Sequence, residues 1–128
     1  IASLDMSLFV LDFDHNADNP QQLRERHYNV YKAVRNAHPD IPIIMATKPD
    51  FENDDRNENP ERLKIVKADY LRARREGDRN VYFIDGRSFY GKKERGLNFA
   101  DACHPNDLGF YKMSRRFGAM IDRLLKKR

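Results

Sequence analysis

Three short apolar runs, separated by helix-length segments, constrain this chain more than any other feature. Residues 6–13 (MSLFVLDF), 41–47 (IPIIMAT) and 80–84 (NVYFI) carry few polar side chains. A strand with one wet face would alternate apolar and polar residues. Nearly unbroken runs suit strands buried on both faces, as in a parallel sheet. Parallel neighbours need a crossover, usually a helix, because a hairpin cannot join them. The runs begin roughly every 37 residues, which leaves room for one helix and its loops in each interval. The expected architecture is βαβαβα: an α/β fold with a parallel sheet, right-handed crossovers and helices on the sheet faces.

The intervening segments carry helix signals. The first opens at Asn19-Pro20, places Leu23, His27, Val30, Tyr31 and Val34 on one face, and ends near His38-Pro39. The second opens at Asn59-Pro60, carries Leu63, Val66 and Tyr70, and ends near Gly77. Asn is a good N-cap, and Pro suits the first helical position, where no N–H is needed. The third opens at His104-Pro105 and carries Phe110, Met113, Phe117, Met120, Ile121 and Leu124 at helical spacing. The stretches 50–59 (DFENDDRNEN) and 92–98 (KKERGLN) read as mobile loops.

Composition narrows the classes of function. At 128 residues the chain is long enough for one domain with a real core. No apolar run reaches the roughly 18 residues of a membrane span, so no membrane partner is expected. The net charge of +4 gathers partly in Arg72, Arg74, Arg75, Arg79 and the tail Lys126-Lys127-Arg128. These basic runs lack the interleaved aromatics of a stacking platform for nucleic acid. They read as solvated helix faces and a cationic helix end, so no nucleic-acid partner is expected. The single Cys103 excludes an internal disulfide and a cysteine-based zinc cluster. Asp12, Asp14 and Asp50 form no regular ligand loop, and neither metal nor cofactor is expected.

In open α/β sheets, ligands bind beyond the carboxyl ends of the strands. Here those ends read Asp12-Phe13-Asp14-His15-Asn16, Thr47-Lys48-Pro49-Asp50 and Asp85-Gly86-Arg87-Ser88. The loop after the third leads to Asp101-Ala102-Cys103-His104-Pro105-Asn106-Asp107-Leu108-Gly109. Asp101 is close enough along the chain to orient the His104 ring, and Pro105 holds His104 extended. A base oriented by an acid is two-thirds of a nucleophilic triad. The same pair read structurally is a buried ion pair capping a helix. His15 is a rival base in a polar loop; His27 and His38 read as structural.

The stretch from Asp101 to Gly109 resembles the last sequence block of the SGNH (GDSL-type) serine hydrolases, Asp-x-x-His-Pro-Asn, often followed by Asp-x-x-Gly; it matches here at Asp101, His104, Pro105, Asn106, Leu108 and Gly109. The resemblance implies a three-layer α/β/α, flavodoxin-like fold and ester hydrolysis. It implies that Asp101 and His104 serve a serine nucleophile. The strand and loop ending at Asn16 resemble the family's Gly-x-Asn-Asp block, whose asparagine donates to the oxyanion. Asp14 stands where that block has glycine, and Ala17 where it often has a second acid. The serine block and a second oxyanion glycine have no match. Of Ser3, Ser7, Ser88 and Ser114, Ser88 alone is near the right sheet edge, and it lacks a nucleophile's strand-to-helix turn. On this reading residues 1–128 are the C-terminal part of one SGNH domain, inactive alone and exposing apolar surface that favours self-association. The implied substrate is a small ester or acylated carbohydrate. The alternative is a non-catalytic module whose basic helices meet an acidic partner.

Overall fold

The structure, a computed structural model, describes residues 1–49, 56–91, 93, 95–101 and 103–126. It has three strands and three helices in alternation: β1 (Phe9–Leu11), α1 (Pro20–Ala37), β2 (Ile43–Ala46), α2 (Asn59–Arg75), β3 (Val81–Ile84) and α3 (Asp107–Leu125). The strands lie in the order β1-β2-β3 and all pairs are parallel, with Phe9 opposite Ile43 and Ile43 opposite Val81. Every residue of the central strand β2 is buried, which is why it reads as an unbroken apolar run. Ordered pairing is shorter than the apolar runs: β1 pairs over Phe9–Leu11 and β2 over Ile43–Ala46.

Side-chain alternation along β2 builds two cores. Ile43 and Met45 face a layer made by α1 and α2, with Leu23, Tyr31, Val34, Ile65 and Val66. Ile44 and Ala46 face α3, with Leu124 buried and Met113, Phe117 and Ile121 half-buried. This is the three-layer α/β/α arrangement. Both crossover helices lie on one face, as two crossovers of the same hand require when the strand order is sequential.

Helix boundaries follow local chemistry, with two corrections. Asn19 caps α1 by accepting the N–H of Gln22 at 2.9 Å. The start of α2 lies one residue earlier than the Asn-Pro signal placed it. Glu58 is the cap; its carbonyl accepts from both Glu61 and Arg62, and Asn59 is already helical. Its end is as expected. Gly77 adopts φ 97°, its N–H reaches the Arg74 carbonyl, and the Asp78 N–H reaches that of Ala73. That is the paired bonding of a left-handed C-terminal stop. The buried face of α2 differs from the predicted stripe. Arg62, Ile65, Val66 and Ala73 are buried, and Leu63 is only partly so.

α3 begins two residues after Pro105. Asn106 is its cap and accepts the Gly109 N–H at 3.0 Å, while Pro105 pairs with Phe99 in an antiparallel bridge. An asparagine side chain one residue after the proline is the better cap, and it wins. The polar stretch expected at 50–59 lies largely outside the described residues. Part of the second expected loop is ordered, since Arg95–Asn98 forms a 3-10 turn.

His27 is fully buried and shares Nδ1 with the Asp69 carboxylate at 2.8 Å, and His38 Nε2 meets the Ala2 carbonyl at 2.9 Å. Both are structural, as read from the sequence. Arg72 stacks 4.0 Å from the Tyr28 ring centre and pairs with Glu76. Arg74 donates to the carbonyls of Asp78 and Arg79. Arg74 thus closes the α2–β3 turn, and Arg72 packs α2 against α1.

Candidate active site

The loop that carries Asp101 and His104 is clamped at its base. The Ala100 N–H donates to the His104 carbonyl at 2.8 Å, and the Asn106 N–H to the Asn98 carbonyl at 2.9 Å. The Asn106 amide also donates to the carbonyls of Leu97 and Phe99. Gly109 lets the first turn of α3 press on this loop. A Cβ there would lie 2.2 Å from the Asn98 carbonyl oxygen, so only glycine fits.

Within the clamp, both carboxylate oxygens of Asp101 are engaged. Its Oδ1 accepts the backbone N–H groups of Cys103 and His104, each at 2.7 Å, and its Oδ2 lies 2.9 Å from His104 Nδ1. These bonds, those of His104 first, hold the carboxyl well below its ordinary 3.8, at about 2. An ionised carboxylate can only accept. In neutral His104 the proton must therefore sit on Nδ1, which leaves Nε2 as the basic lone pair. The pair is exposed, 72% for the imidazole and 58% for the carboxylate. At that exposure an ion pair adds little stability. Its consequence is orientation.

The strand ends meet at one edge. The Thr47 hydroxyl accepts the Gly86 N–H at 2.7 Å, joining the loops after β2 and β3. The Asp14 carboxylate accepts the Lys48 N–H at 2.9 Å, joining the loops after β1 and β2. Gly86 lies so close that a Cβ would be 2.0 Å from the Lys48 carbonyl oxygen. Above this edge is a cleft of about 140 Å³ lined by Asp12, His15, Asn16 and Pro49 on one side and by Cys103, His104, Pro105, Phe110 and Met113 on the other.

Asn16 and His104 thus share one cleft. Asn16 ends the 3-10 turn Asp14–Asn16, and its carboxamide has no hydrogen-bond partner among the described residues. His15, the rival base, places Nε2 2.8 Å from Cys103 Sγ. Asp12 is exposed at the rim of the cleft. Desolvation there, and then the neighbouring Asp14, push its pKa up. Asp14 itself is engaged by Lys48 and Arg62, and Asp50 lies outside the described residues.

No serine is among the residues lining this cleft. The Ser88 hydroxyl donates to the Asp85 carbonyl at 2.6 Å, and that of Ser114 to the Tyr111 carbonyl at 2.8 Å. Sequence reading missed Arg62, whose buried guanidinium reaches the Asn16 turn. The available signal was its position three and four residues before Ile65 and Val66, on the same helix face.

Comparisons with known proteins agree with this fold. A family model described as the GDSL-like lipase/acylhydrolase family matches residues 1–122. No curated protein matches the chain. Among solved structures, a protein from Bacteroides ovatus ATCC 8483 described as a GDSL-like lipase is similar at 28% identity and TM-score 0.83, over 98% of this chain and 38% of that one. The salicylyl-acyltransferase SsfX3 from a tetracycline biosynthetic pathway shares the fold at 19% identity and TM-score 0.70, over 93% of this chain and 39% of that one. The chain therefore spans well under half the length of either structure. With the family model covering almost all of it, the chain belongs to the GDSL-like lipase/acylhydrolase family.

Proposed function

We propose that this chain supplies the base, its orienting acid and one oxyanion donor of a serine esterase, with the serine provided by sequence outside these 128 residues. The observation that carries the reading is the Asp101–His104 hydrogen bond at the rim of a cleft that Asn16 also lines. In the proposed reaction the serine hydroxyl attacks an ester carbonyl, and its proton passes to His104 Nε2. The Asn16 amide donates to the oxygen that becomes negative. Collapse of the tetrahedral centre breaks the acyl–oxygen bond, and Nε2 returns the proton to the leaving alcohol. Water then repeats the cycle on the acyl-enzyme and releases the acid.

These residues form only part of the substrate cleft, the rest being supplied with the serine. Pro49, Pro105, Phe110 and Met113 offer an apolar wall for the acyl carbons, while Asp12 and His15 can meet the hydroxyls of a carbohydrate alcohol. The alternative of an acidic partner on the basic helices has less support, because Arg72 and Arg74 are engaged internally.

The test is hydrolysis of a chromogenic acetyl ester by the longer protein that contains this chain, and by residues 1–128 alone. The longer protein should turn over, and its His104→Ala variant should lose about 10³-fold or more in kcat. Residues 1–128 alone should be nearly inactive. Enzyme-like turnover by residues 1–128, abolished by Ser88→Ala, would overturn the placing of the nucleophile.

A further inference from the structure

We infer that Arg62 is a positioning residue for the turn that presents Asn16 to the cleft, an inference that rests on the esterase reading above. Its guanidinium is 4% exposed, on the inner face of α2. Nη1 donates to the Asp14 carbonyl at 2.8 Å, and Nη2 to the Ala17 carbonyl at 3.0 Å. Those two carbonyls bracket His15 and Asn16. One rigid, planar fork therefore holds both ends of the turn whose middle residues line the cleft. Nε and the second N–H of Nη2 donate to Glu58, the cap residue of α2, at 3.2 and 3.0 Å from Oε2. Glu58 fixes the fork to the helix, and the fork fixes the turn.

Asp14 completes the frame. It is fully buried, and its Oδ2 accepts from Lys48 N–H, so the Asn16 turn is tied to the loop after β2 as well as to α2. Its Oδ1 makes no hydrogen bond among the described residues and lies 3.5 Å from Arg62 Nη1. A buried charge network with an unsatisfied carboxylate oxygen is a poor way to gain stability; apolar side chains of similar volume often do as well or better. What the network does supply is a fixed distance between the Asn16 turn and the sheet edge. An oxyanion donor needs that, because a displacement of about 1 Å at a reacting centre is enough to cost about 10²-fold in rate.

The experiment uses the longer protein that contains this chain, with Arg62→Met to keep the volume and remove the fork, and Arg62→Lys to keep the charge and remove the fork. Each is assayed for kcat and KM on the chromogenic acetyl ester, for thermal midpoint, and for amide hydrogen exchange at Asn16 and Ala17. The expected result is a fall in kcat of about 10- to 100-fold, with KM changed by no more than about twofold. The thermal midpoint of Arg62→Met should be unchanged or raised, exchange at Asn16 and Ala17 should be faster, and Arg62→Lys should not rescue. Wild-type kcat in Arg62→Met, or full rescue by Arg62→Lys, overturns the inference. Should Arg62→Met fail to fold, Asp14→Asn, which nearly preserves shape, is read by the same criteria. If the wild-type protein hydrolyses no ester, the esterase reading fails separately. Exchange then decides alone: acceleration confined to the turn sustains the positioning role, and unchanged exchange removes it.

Discussion

Asp101 binds His104 twice: Oδ1 takes the His104 backbone N–H at 2.7 Å, and Oδ2 faces its ring Nδ1 at 2.9 Å. One carboxylate thereby fixes both the backbone and the imidazole of the residue three positions on. The ring cannot turn away without breaking a bond to an ionised acceptor. A substitution at Asp101 therefore acts on tautomer and orientation together.

Asp101→Asn should leave the loop nearly intact yet cost about 10³- to 10⁴-fold in kcat in the longer protein. An amide can present N–H to Nδ1, which moves the ring proton to Nε2 and removes the basic lone pair from the cleft. A nitrogen-15 NMR spectrum of the His104 ring should show the tautomer exchanged. Unchanged kcat with an exchanged tautomer would remove His104 from the role of base.

Asn16→Ala should lower kcat by about 10²- to 10³-fold with little change in KM, the usual scale for one oxyanion donor. The side chain has no partner among the described residues, so the folded structure loses nothing when it is cut back. Steady-state kinetics beside a thermal melt separate the two effects. A large drop in melting temperature would place Asn16 in the fold instead.

The pH dependence of the Asp101 loop has a defined sign. The folded pKa lies below its ordinary 3.8, at about 2. The carboxylate's stabilisation of the loop is thus fully present above about pH 4 and is lost as the pH falls through about 2. Amide exchange at Cys103 and His104 should stay protected down to about pH 4 and then rise. Loss of protection near pH 6 would mean that the carboxylate is not what holds the loop.

Gly86→Ala should destabilise the protein by about 1–3 kcal/mol, the range for forcing an extra carbon into a packed site. The added Cβ would meet the carbonyl oxygens of Lys48 and Thr47 at 2.0 and 2.3 Å, and a backbone cannot yield as a side-chain tip can. Because the clash parts the loops after β2 and β3, kcat should fall as well. Denaturant melts of Gly86→Ala beside Gly91→Ala, where a Cβ meets nothing within 4 Å, give the comparison. Equal stability of the two would contradict the close approach.

By itself, the sequence determined whatever depends on neighbours along the chain. The alternation of strands and helices follows from runs such as IPIIMAT and from Asn-Pro and Gly signals, since period and caps are local properties. The Asp101–His104 bond was equally legible, because a three-residue separation in one loop already brings the groups within reach. Even locally, competition between two signals was not resolved: Pro105 and Asn106 each suit a helix start, and the extra side-chain acceptor of Asn106 prevailed.

Only the tertiary structure decided what joins distant segments. Asn16 shares a cleft with His104 because the parallel order β1-β2-β3 brings the strand ends to one edge and α3 packs on the opposite face from α1 and α2. Arg62 is buried and gathers the carbonyls of Asp14 and Ala17, although an arginine on a polar helix reads as solvated from its own segment. A charged side chain enters the interior only where partners from other segments wait for it, and those partners exist only once the sheet has formed.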